Sequence, residues 1–346
     1  MIGKIFMYGL FYGVFLLLIL SFCRVRDGET DGLSREATTE LKGIAILMVL
    51  LGHMTYMKGF ITMPVTPALG APAVDIFLFL SSFGLMYSYS HKGLQGFISR
   101  RLAVIMVPFI LVTCLKAPLM YLWMKMPISL IALNFTALNV EGDTTMWYIQ
   151  YILLCYLVFF IVFKIPKLTV RSKVVILCII GAALAIGNGY LYYSEQMIQH
   201  PLVESYSHHL SFPLGALCYL WLNQYRKLSV RTLTVVSVVS FIIFQFVAFP
   251  GIDGYAKYYL NNLCYVIFFV AVFGILKHYR LHSKLLSWLG ELAYPMYLNE
   301  FFVILLVSAW LPIAPGLQAA CVLLVSILIA IPTKWVSDRI LTRIQR

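Results

Sequence analysis

Residues 41–53 read LKGIAILMVLLGH, an apolar stretch with a cation near its start and a histidine at its end. At about 1.5 Å rise per residue, a helix separates Lys42 from His53 by roughly 16 Å along its axis. That distance is about half the thickness of the hydrocarbon core of a bilayer. An ionisable side chain at that depth is costly unless it faces a cavity or a partner, so His53 is a candidate functional residue. The alternative is a histidine that is hydrogen-bonded between helices for structural reasons only.

The composition of the whole chain places this stretch in an integral membrane protein. Of 346 residues, 61% are hydrophobic and 12% are charged, whereas soluble domains carry about 25% charged residues. The net charge of +12 comes from basic residues between apolar segments, which is typical of membrane topology, so we expect no nucleic-acid partner. The seven cysteines show no CxxC spacing, which indicates buried thiols rather than a disulfide framework or a metal site.

Eleven apolar segments predict an all-α fold of about eleven transmembrane helices. We divide the chain into an extra N-terminal transmembrane helix at 1–23, a cytoplasmic linker at 24–41, a ten-helix membrane domain at 42–335 and a cytoplasmic basic tail at 336–346. A cleaved signal peptide is the alternative for the first segment, but no small-residue cleavage site follows it. Thr38 and Thr39 are candidate caps for the helix that begins near Lys42.

The spans of the ten-helix domain are predicted at 42–57, 74–90, 102–123, 146–163, 174–193, 210–222, 232–249, 258–276, 285–311 and 317–333. When alternate connections between the spans are grouped, 21 of the 26 lysine and arginine residues fall on one side of the membrane. The five basic residues on the opposite side are Lys4, Lys58, Lys116, Lys125 and Lys257. Because basic residues accumulate on the cytoplasmic side, we expect a multi-pass protein of the bacterial cytoplasmic membrane with its N-terminus outside and its C-terminus in the cytoplasm.

A basic cluster, Arg100 and Arg101, lies on the same side of the membrane as Lys42. Guanidinium groups bind phosphate through paired hydrogen bonds, so these three cations are candidates for a phosphate site. Positive-inside topology alone also accounts for arginines at this position.

The late span contains Glu300, whose carboxylate needs a partner at that depth, and His53 is a candidate for that partner. Tyr294, Tyr297 and Asn299 are further polar residues of this span, and Pro295 frees a backbone carbonyl that can kink the helix toward a cavity. A purely structural polar cluster is the alternative.

Two other spans carry polar residues at or inside their predicted ends. Asp75 and Ser81 belong to the span at 74–90, and Trp147 and Gln150 begin the span at 146–163. Tryptophan at a membrane interface is by default a belt residue, and serine within a span usually bonds to a helix backbone. Glu204 and His208 are spaced i, i+4, but no complete set of metal ligands accompanies them, so we expect no metal.

These blocks, in this order, resemble the acyltransferase 3 family of membrane acyltransferases. In the first core helix of that family Arg or Lys is followed by ten residues and then His, as Lys42 and His53 are here. The later family blocks resemble Val74–Phe77 with Ser81–Phe83, Arg100 and Arg101 with Pro108, Trp147–Ile149 and Gly290–Leu298. The resemblance covers roughly residues 36 to 335.

The sequence departs from the family pattern at four positions. Ser82 replaces a glycine, and Ala293 replaces a serine. The second arginine of the family's Arg-x-x-Arg motif would fall near Ile105, so that motif is incomplete. Glu300 stands where many members have histidine.

The resemblance implies transfer of an acyl group, most often acetyl from cytoplasmic acetyl-CoA, to a hydroxyl of an envelope glycan or glycolipid. It implies His53 as general base or, alternatively, as the site of a transient acyl-histidine. We predict that Glu300 or Asp75 orients the imidazole. The residues expected to contact the donor are Lys42, Arg100, Arg101 and Ser81, and those expected to contact the acceptor are Trp147, Gln150, Tyr294, Tyr297 and Asn299. A transporter or flippase for an envelope lipid or glycan, or a structural membrane subunit, are the alternatives.

Overall fold

The computed structural model of the protein describes residues 24–27, 34–58, 70–137, 146–193, 208–225, 228–248, 263, 266–275 and 279–344. This part of the chain contains eleven α-helices: α1 (Arg35–Lys58), α2 (Gly70–Lys92), α3 (Phe97–Leu122), α4 (Ile128–Asn134), α5 (Trp147–Lys164), α6 (Val170–Tyr193), α7 (Ser211–Tyr225), α8 (Val230–Ala248), α9 (Val266–Ile275), α10 (Lys284–Trp310) and α11 (Pro315–Ile344). The predicted all-α membrane fold is confirmed. Seven helices (α1, α2, α3, α5, α6, α10 and α11) are long and apolar enough to cross a membrane, and α7, α8 and α9 contain shorter apolar helical segments.

Each of the ten spans predicted for the membrane domain overlaps one of these helices. Most of the first half of the span predicted at 258–276, and the whole span predicted at 1–23, lie outside the described residues. The helix α10 is continuous through Pro295, which sequence analysis treated as an interruption. The last helix, α11, continues to Ile344 through most of the segment predicted as a basic tail.

A two-stranded antiparallel ribbon pairs the segment before α1 with the segment before α10. The strand β1 (Arg24–Asp27) pairs with β2 (Tyr279–His282), with Arg24 opposite His282. Sequence analysis did not predict this ribbon, because strands of four residues carry too little periodicity to be recognised. The ribbon holds the segment that precedes α1 beside the segment that precedes α10.

The start of α1 lies about two turns before its predicted position. The Ser34 hydroxyl accepts a hydrogen bond from the backbone N–H of Ala37 at 3.1 Å, which is the geometry of an N-cap. The prediction that Thr38 or Thr39 caps the helix was wrong, because both hydroxyls donate to the Arg35 carbonyl inside the first turns. A polar first turn concealed the true start, since only the apolar part of the helix has a hydrophobic signal.

The helices α1 and α10 approach each other closely through a pair of glycines. A Cβ atom on Gly290 would overlap the carbonyl oxygen of Thr39, and one on Gly43 would overlap that of Leu286. Small residues allow helix backbones to approach in this way within membranes. A side-chain bond reinforces the crossing, because the buried Glu40 carboxylate accepts from the backbone N–H of Ser283 at 2.8 Å, at the N-terminus of α10.

Seven helices pack side by side in a closed ring. In order around the ring they are α1, α2, α7, α6, α5, α3 and α10, and α11 packs outside against α3 and α10. The helix α10 is buried along most of its length, with 16 of its 27 residues buried. The side chains of α10 that face α1 therefore lie in the interior, where polar groups need hydrogen-bond partners.

Candidate active site

The two ionisable residues that sequence analysis paired are in contact. His53 Nδ1 lies 2.5 Å from Glu300 Oε1, although 247 residues separate them in the chain. The Glu300 side chain is fully buried, whereas the His53 side chain is 23% exposed. Because a carboxylate only accepts hydrogen bonds, Nδ1 carries the proton, and the lone pair of the imidazole is on Nε2. This arrangement orients the ring and makes Nε2 the basic nitrogen.

The position of this pair follows from the direction of the two helices. Gly43 approaches Gly290, and ten residues further along each helix His53 meets Glu300. The helices α1 and α10 therefore run parallel in a fixed register. At about 1.5 Å per residue, the pair lies roughly 15 Å along the axes from the glycine crossing.

A cavity of about 450 Å³ opens beside the glycine crossing. Residues from six helices line it: Arg35, Thr38, Thr39, Lys42 and Val49 of α1, Val74, Phe77 and Ser81 of α2, Val104 and Ile105 of α3, Tyr148, Ile152 and Tyr156 of α5, Gly290, Glu291, Ala293, Tyr294 and Tyr297 of α10, and Lys334 of α11. The volume suits a cofactor-sized ligand or a substantial part of one.

The His53–Glu300 pair lies one helical turn beyond the inner end of this cavity. Val49 of α1 and Tyr297 of α10 line the cavity, and His53 and Glu300 follow them by four and three residues. Lys42 and His53 are eleven residues apart, which corresponds to three turns and about 20°, so they project from the same face of α1. The cavity thus extends along α1 from Lys42 to Val49, one turn before His53.

The aromatic part of the cavity wall carries several hydroxyl groups. Ser81, a predicted donor contact, lies near the phenols of Tyr148 and Tyr156 in the cavity wall. The Tyr294 hydroxyl donates to the Ile105 carbonyl at 2.9 Å. The Tyr297 ring packs edge-to-face on Tyr148 with centroids 5.5 Å apart. Two of the predicted acceptor residues, Tyr294 and Tyr297, therefore lie in the same cavity as the predicted donor contacts Lys42 and Ser81.

The predicted basic cluster is placed differently from Lys42. Neither Arg100 nor Arg101 lines the cavity. The Arg100 guanidinium donates to the carbonyl of Gln95. Arg101 is close enough to act electrostatically on Lys42 and Tyr156. The cations that line the cavity together with Lys42 are instead Arg35 and Lys334.

Asp75 takes part in a second imidazole–carboxylate pair. Its Oδ1 lies 2.9 Å from His208 Nδ1 and accepts from the Ser211 hydroxyl at 2.5 Å. The indole of Trp147 stacks on the His208 ring with centroids 5.4 Å apart. The structure therefore places Asp75 and Trp147 together with His208, and Glu300 is the carboxylate bonded to His53. Glu204, once considered with His208 for a metal, lies outside the described residues.

The neighbouring His209 completes this polar region. Its Nδ1 lies 2.7 Å from the Tyr151 hydroxyl and its Nε2 lies 2.8 Å from Asn188 Nδ2. His209 lies in the turn before α7, where burial and the adjacent His208 lower its pKa to about 4. Because an amide nitrogen donates, Nε2 accepts and Nδ1 donates to the tyrosine, so the neutral ring links α5, α6 and α7.

The two remaining predicted acceptor residues lie away from the cavity lining. The Asn299 side chain donates to the carbonyls of Pro295 at 2.9 Å and Ser326 at 3.1 Å, and so connects α10 to α11. Gln150 is half-buried near the start of α5. Asn299 therefore joins two helices by hydrogen bonds, a role that its place in the sequence did not indicate.

Among the residues of the cavity wall that sequence analysis did not name as site residues are Arg35, Lys334, Tyr148 and Tyr156. Their signals were present. Arg35 precedes Lys42 by two helical turns, and Tyr148 and Tyr156 share one face of α5 at i, i+8. The signal was lost because Arg35 was assigned to a linker and because neither tyrosine was singled out from the other aromatic residues of its span.

The helices and this interior site describe a multi-pass membrane protein with a potential general base beside a deep cavity. A sequence profile of the acyltransferase 3 family, described as an acyltransferase domain, matches residues 41–335, and the chain belongs to this family. The resemblance drawn from the sequence blocks is thereby confirmed, and the protein is a membrane acyltransferase. No curated protein and no solved structure matches the chain.

Proposed function

We propose that the protein transfers an acetyl group from cytoplasmic acetyl-CoA to a hydroxyl of an envelope glycan or glycolipid, with His53 as the general base. The observation that carries this proposal is the His53–Glu300 pair, whose Nδ1 and Oε1 atoms are 2.5 Å apart. The pair lies one turn beyond a cavity whose lining residues include three cations. A donor with phosphates at one end and a thioester at the other matches that distribution of charge and base.

The proposed reaction uses the tautomer that Glu300 selects. His53 Nε2 takes the proton of the acceptor hydroxyl while the oxygen attacks the thioester carbonyl carbon. The tetrahedral intermediate collapses as the C–S bond breaks, and the CoA thiolate leaves with the proton from the imidazolium. The Glu300 carboxylate stabilises the imidazolium between these steps, and general-base catalysis of this kind is typically worth about 10²–10⁴-fold.

The topology of the reaction follows from the charge pattern. Arg35 and Lys42 line the cavity near the start of α1, on the side that the positive-inside rule assigns to the cytoplasm. His53 is near the other end of that helix. The donor therefore enters from the cytoplasm, and the acceptor reaches the imidazole from the outer half of the protein.

The test is transfer of label in membranes. Membranes that contain the protein would be incubated with acetyl-CoA labelled in the acetyl group, and alkali-labile ester in the glycan and glycolipid fractions would be measured. We expect label in one of these fractions with wild-type protein and background label with His53→Ala. Equal labelling with both proteins would exclude His53 as the base. No label in either fraction, together with a lipid or glycan that changes leaflet, would favour a flippase.

A further inference from the structure

The wall of the cavity carries an excess of positive charge. Of its lining residues, Arg35, Lys42 and Lys334 are cationic and Glu291 is acidic. Arg35 and Lys42 are two helical turns apart on one face of α1, and Lys334 comes from α11. Three cations from two helices thus surround the same space.

Lys42 is close enough to two arginines for the like charges to repel. The charges of Arg101 and Arg35 both act on Lys42. Among the described residues, neither Arg35, Lys42 nor Arg101 has a carboxylate in an ion pair. Lys334 Nζ does pair with Asp338 at 2.5 Å, but that side chain is 57% exposed, and exposed pairs of this kind are worth about 0–1 kcal/mol. An anionic ligand would relieve the repulsion.

The family's usual cationic helix does not supply this charge to the cavity. Val104 and Ile105, near which the second arginine of the Arg-x-x-Arg motif would fall, line the cavity as apolar residues. Arg100 is turned toward the Gln95 carbonyl. The positive charge of the wall comes from α1 and α11 instead of α3.

We propose that Arg35 and Lys334, together with Lys42, bind the phosphate groups of the acyl donor and replace the incomplete Arg-x-x-Arg motif. This inference rests on the proposed function in that the ligand is a CoA thioester. Arginine forks and lysine ammonium groups both bind phosphate oxygens with charge-assisted hydrogen bonds. The thioester end of a donor held there points along α1 toward His53.

The test is the affinity of the purified full-length protein in nanodiscs for CoA, measured by isothermal titration. We expect Arg35→Gln and Lys334→Gln each to raise Kd roughly tenfold or more, the effect of losing one hydrogen bond to a charged group. Arg35→Lys and Lys334→Arg keep the charge and should retain most of the affinity. Added salt should weaken CoA binding more steeply in the wild type than in the two glutamine variants, because salt screens the cation–phosphate contacts that the variants lack.

Two controls separate phosphate binding from other effects. Asp338→Asn breaks the Lys334–Asp338 pair without removing a lining cation, and Arg339→Gln removes a cation of α11 that stacks on Trp335 outside the cavity. Both should bind CoA as the wild type does.

The inference would be overturned if the wild type bound no CoA, if either glutamine variant bound it as tightly as the wild type, or if Asp338→Asn weakened binding as much as Lys334→Gln. Loss of affinity in Arg35→Lys equal to that in Arg35→Gln would also overturn it, because it would indicate a structural role. Release of CoA from acetyl-CoA is measured separately. Tight CoA binding without release of CoA from acetyl-CoA, with or without envelope extract as the acceptor source, would leave this inference standing and would contradict the proposed function.

Discussion

The protein contains two imidazole–carboxylate pairs that differ in access rather than in chemistry. In the pair of His53 and Glu300 the imidazole is 23% exposed and the carboxylate is fully buried. In the pair of His208 and Asp75 both side chains are less than 10% exposed, and the Trp147 indole covers the His208 ring. A base must reach its substrate, so the comparison favours the first pair for the proposed catalysis and a packing role for the second.

The pairs also differ in what surrounds them. His53 follows the face of α1 that lines the cavity, whereas His208 lies in a turn between Asp75 of α2 and Trp147 of α5. The second pair thus connects α2, α5 and the start of α7 in the ring. The difference shows that an ionisable residue inside a membrane protein is a reason to look for a cavity, and is not by itself evidence of catalysis.

The largest effect is expected from His53→Gln. This variant removes the basic nitrogen, and we expect CoA release from acetyl-CoA to fall by about 10²–10⁴-fold, the range typical of a general base. The melting temperature of the purified protein should change little by comparison. Activity close to wild type would break the assignment of catalysis to this pair.

A somewhat smaller effect is expected from Glu300→Gln. The amide keeps the shape of the side chain but cannot stabilise an imidazolium, so kcat should fall by about 10²-fold, the lower end of the general-base range. The KM for acetyl-CoA should stay near its wild-type value, because Glu300 lies beyond the cavity. Glu300→Asp, which keeps the charge, should recover part of the loss. A wild-type kcat in Glu300→Gln would remove the carboxylate from the mechanism.

Packing of the helices that carry the first pair is tested by Gly290→Ala. The added Cβ meets the Thr39 carbonyl and must push α1 and α10 apart, which we expect to cost about 1–3 kcal/mol as overpacking does. Both the melting temperature and the turnover should fall. Gly84→Ala is the matched control, since nothing lies within 4 Å of its Cβ position in α2, and an unchanged melting temperature in Gly290→Ala would contradict the close crossing.

The smallest effect on activity is expected from His208→Gln. Asp75 keeps its bond from Ser211 but loses the imidazole donor, so stability should fall by about 1–3 kcal/mol, the cost of an underbonded buried acceptor. Thermal unfolding and CoA release are measured on the same preparation. A large loss of CoA release with an unchanged melting temperature would show that the buried pair takes part in the reaction.

Much of this organisation was predictable from the sequence. The spans follow from hydropathy, and the contact of His53 with Glu300 follows from the need of each buried ionisable group for a partner. Ten spans were predicted from apolar segments, and His53 was considered as a partner for Glu300 because neither tolerates apolar surroundings alone. The contact between them is now observed, and their catalytic roles stay predictions. The pairing of Asp75 with His208 was not predictable, because His208 was assigned to an outer loop and its bond depends on how α2 and α7 pack.

Helix ends and cavity walls were the least predictable features. Arg35 was assigned to a linker because a polar first turn has no hydrophobic period. Lys334 was regarded as a topological cation because a single sequence does not indicate which helices enclose a cavity. The side chains that line the cavity are set by the crossing of α1 and α10, which depends on the close approach at Gly43 and Gly290.

The most direct measurement of the central claim is release of free CoA from acetyl-CoA by the purified protein in nanodiscs, with His53→Ala beside the wild type. We expect slow release from the wild type, faster release when the acceptor is added, and none above background from the variant. Release at equal rates from both proteins, or no release from the wild type with or without envelope extract as the acceptor source, would contradict acyl transfer at the His53–Glu300 pair.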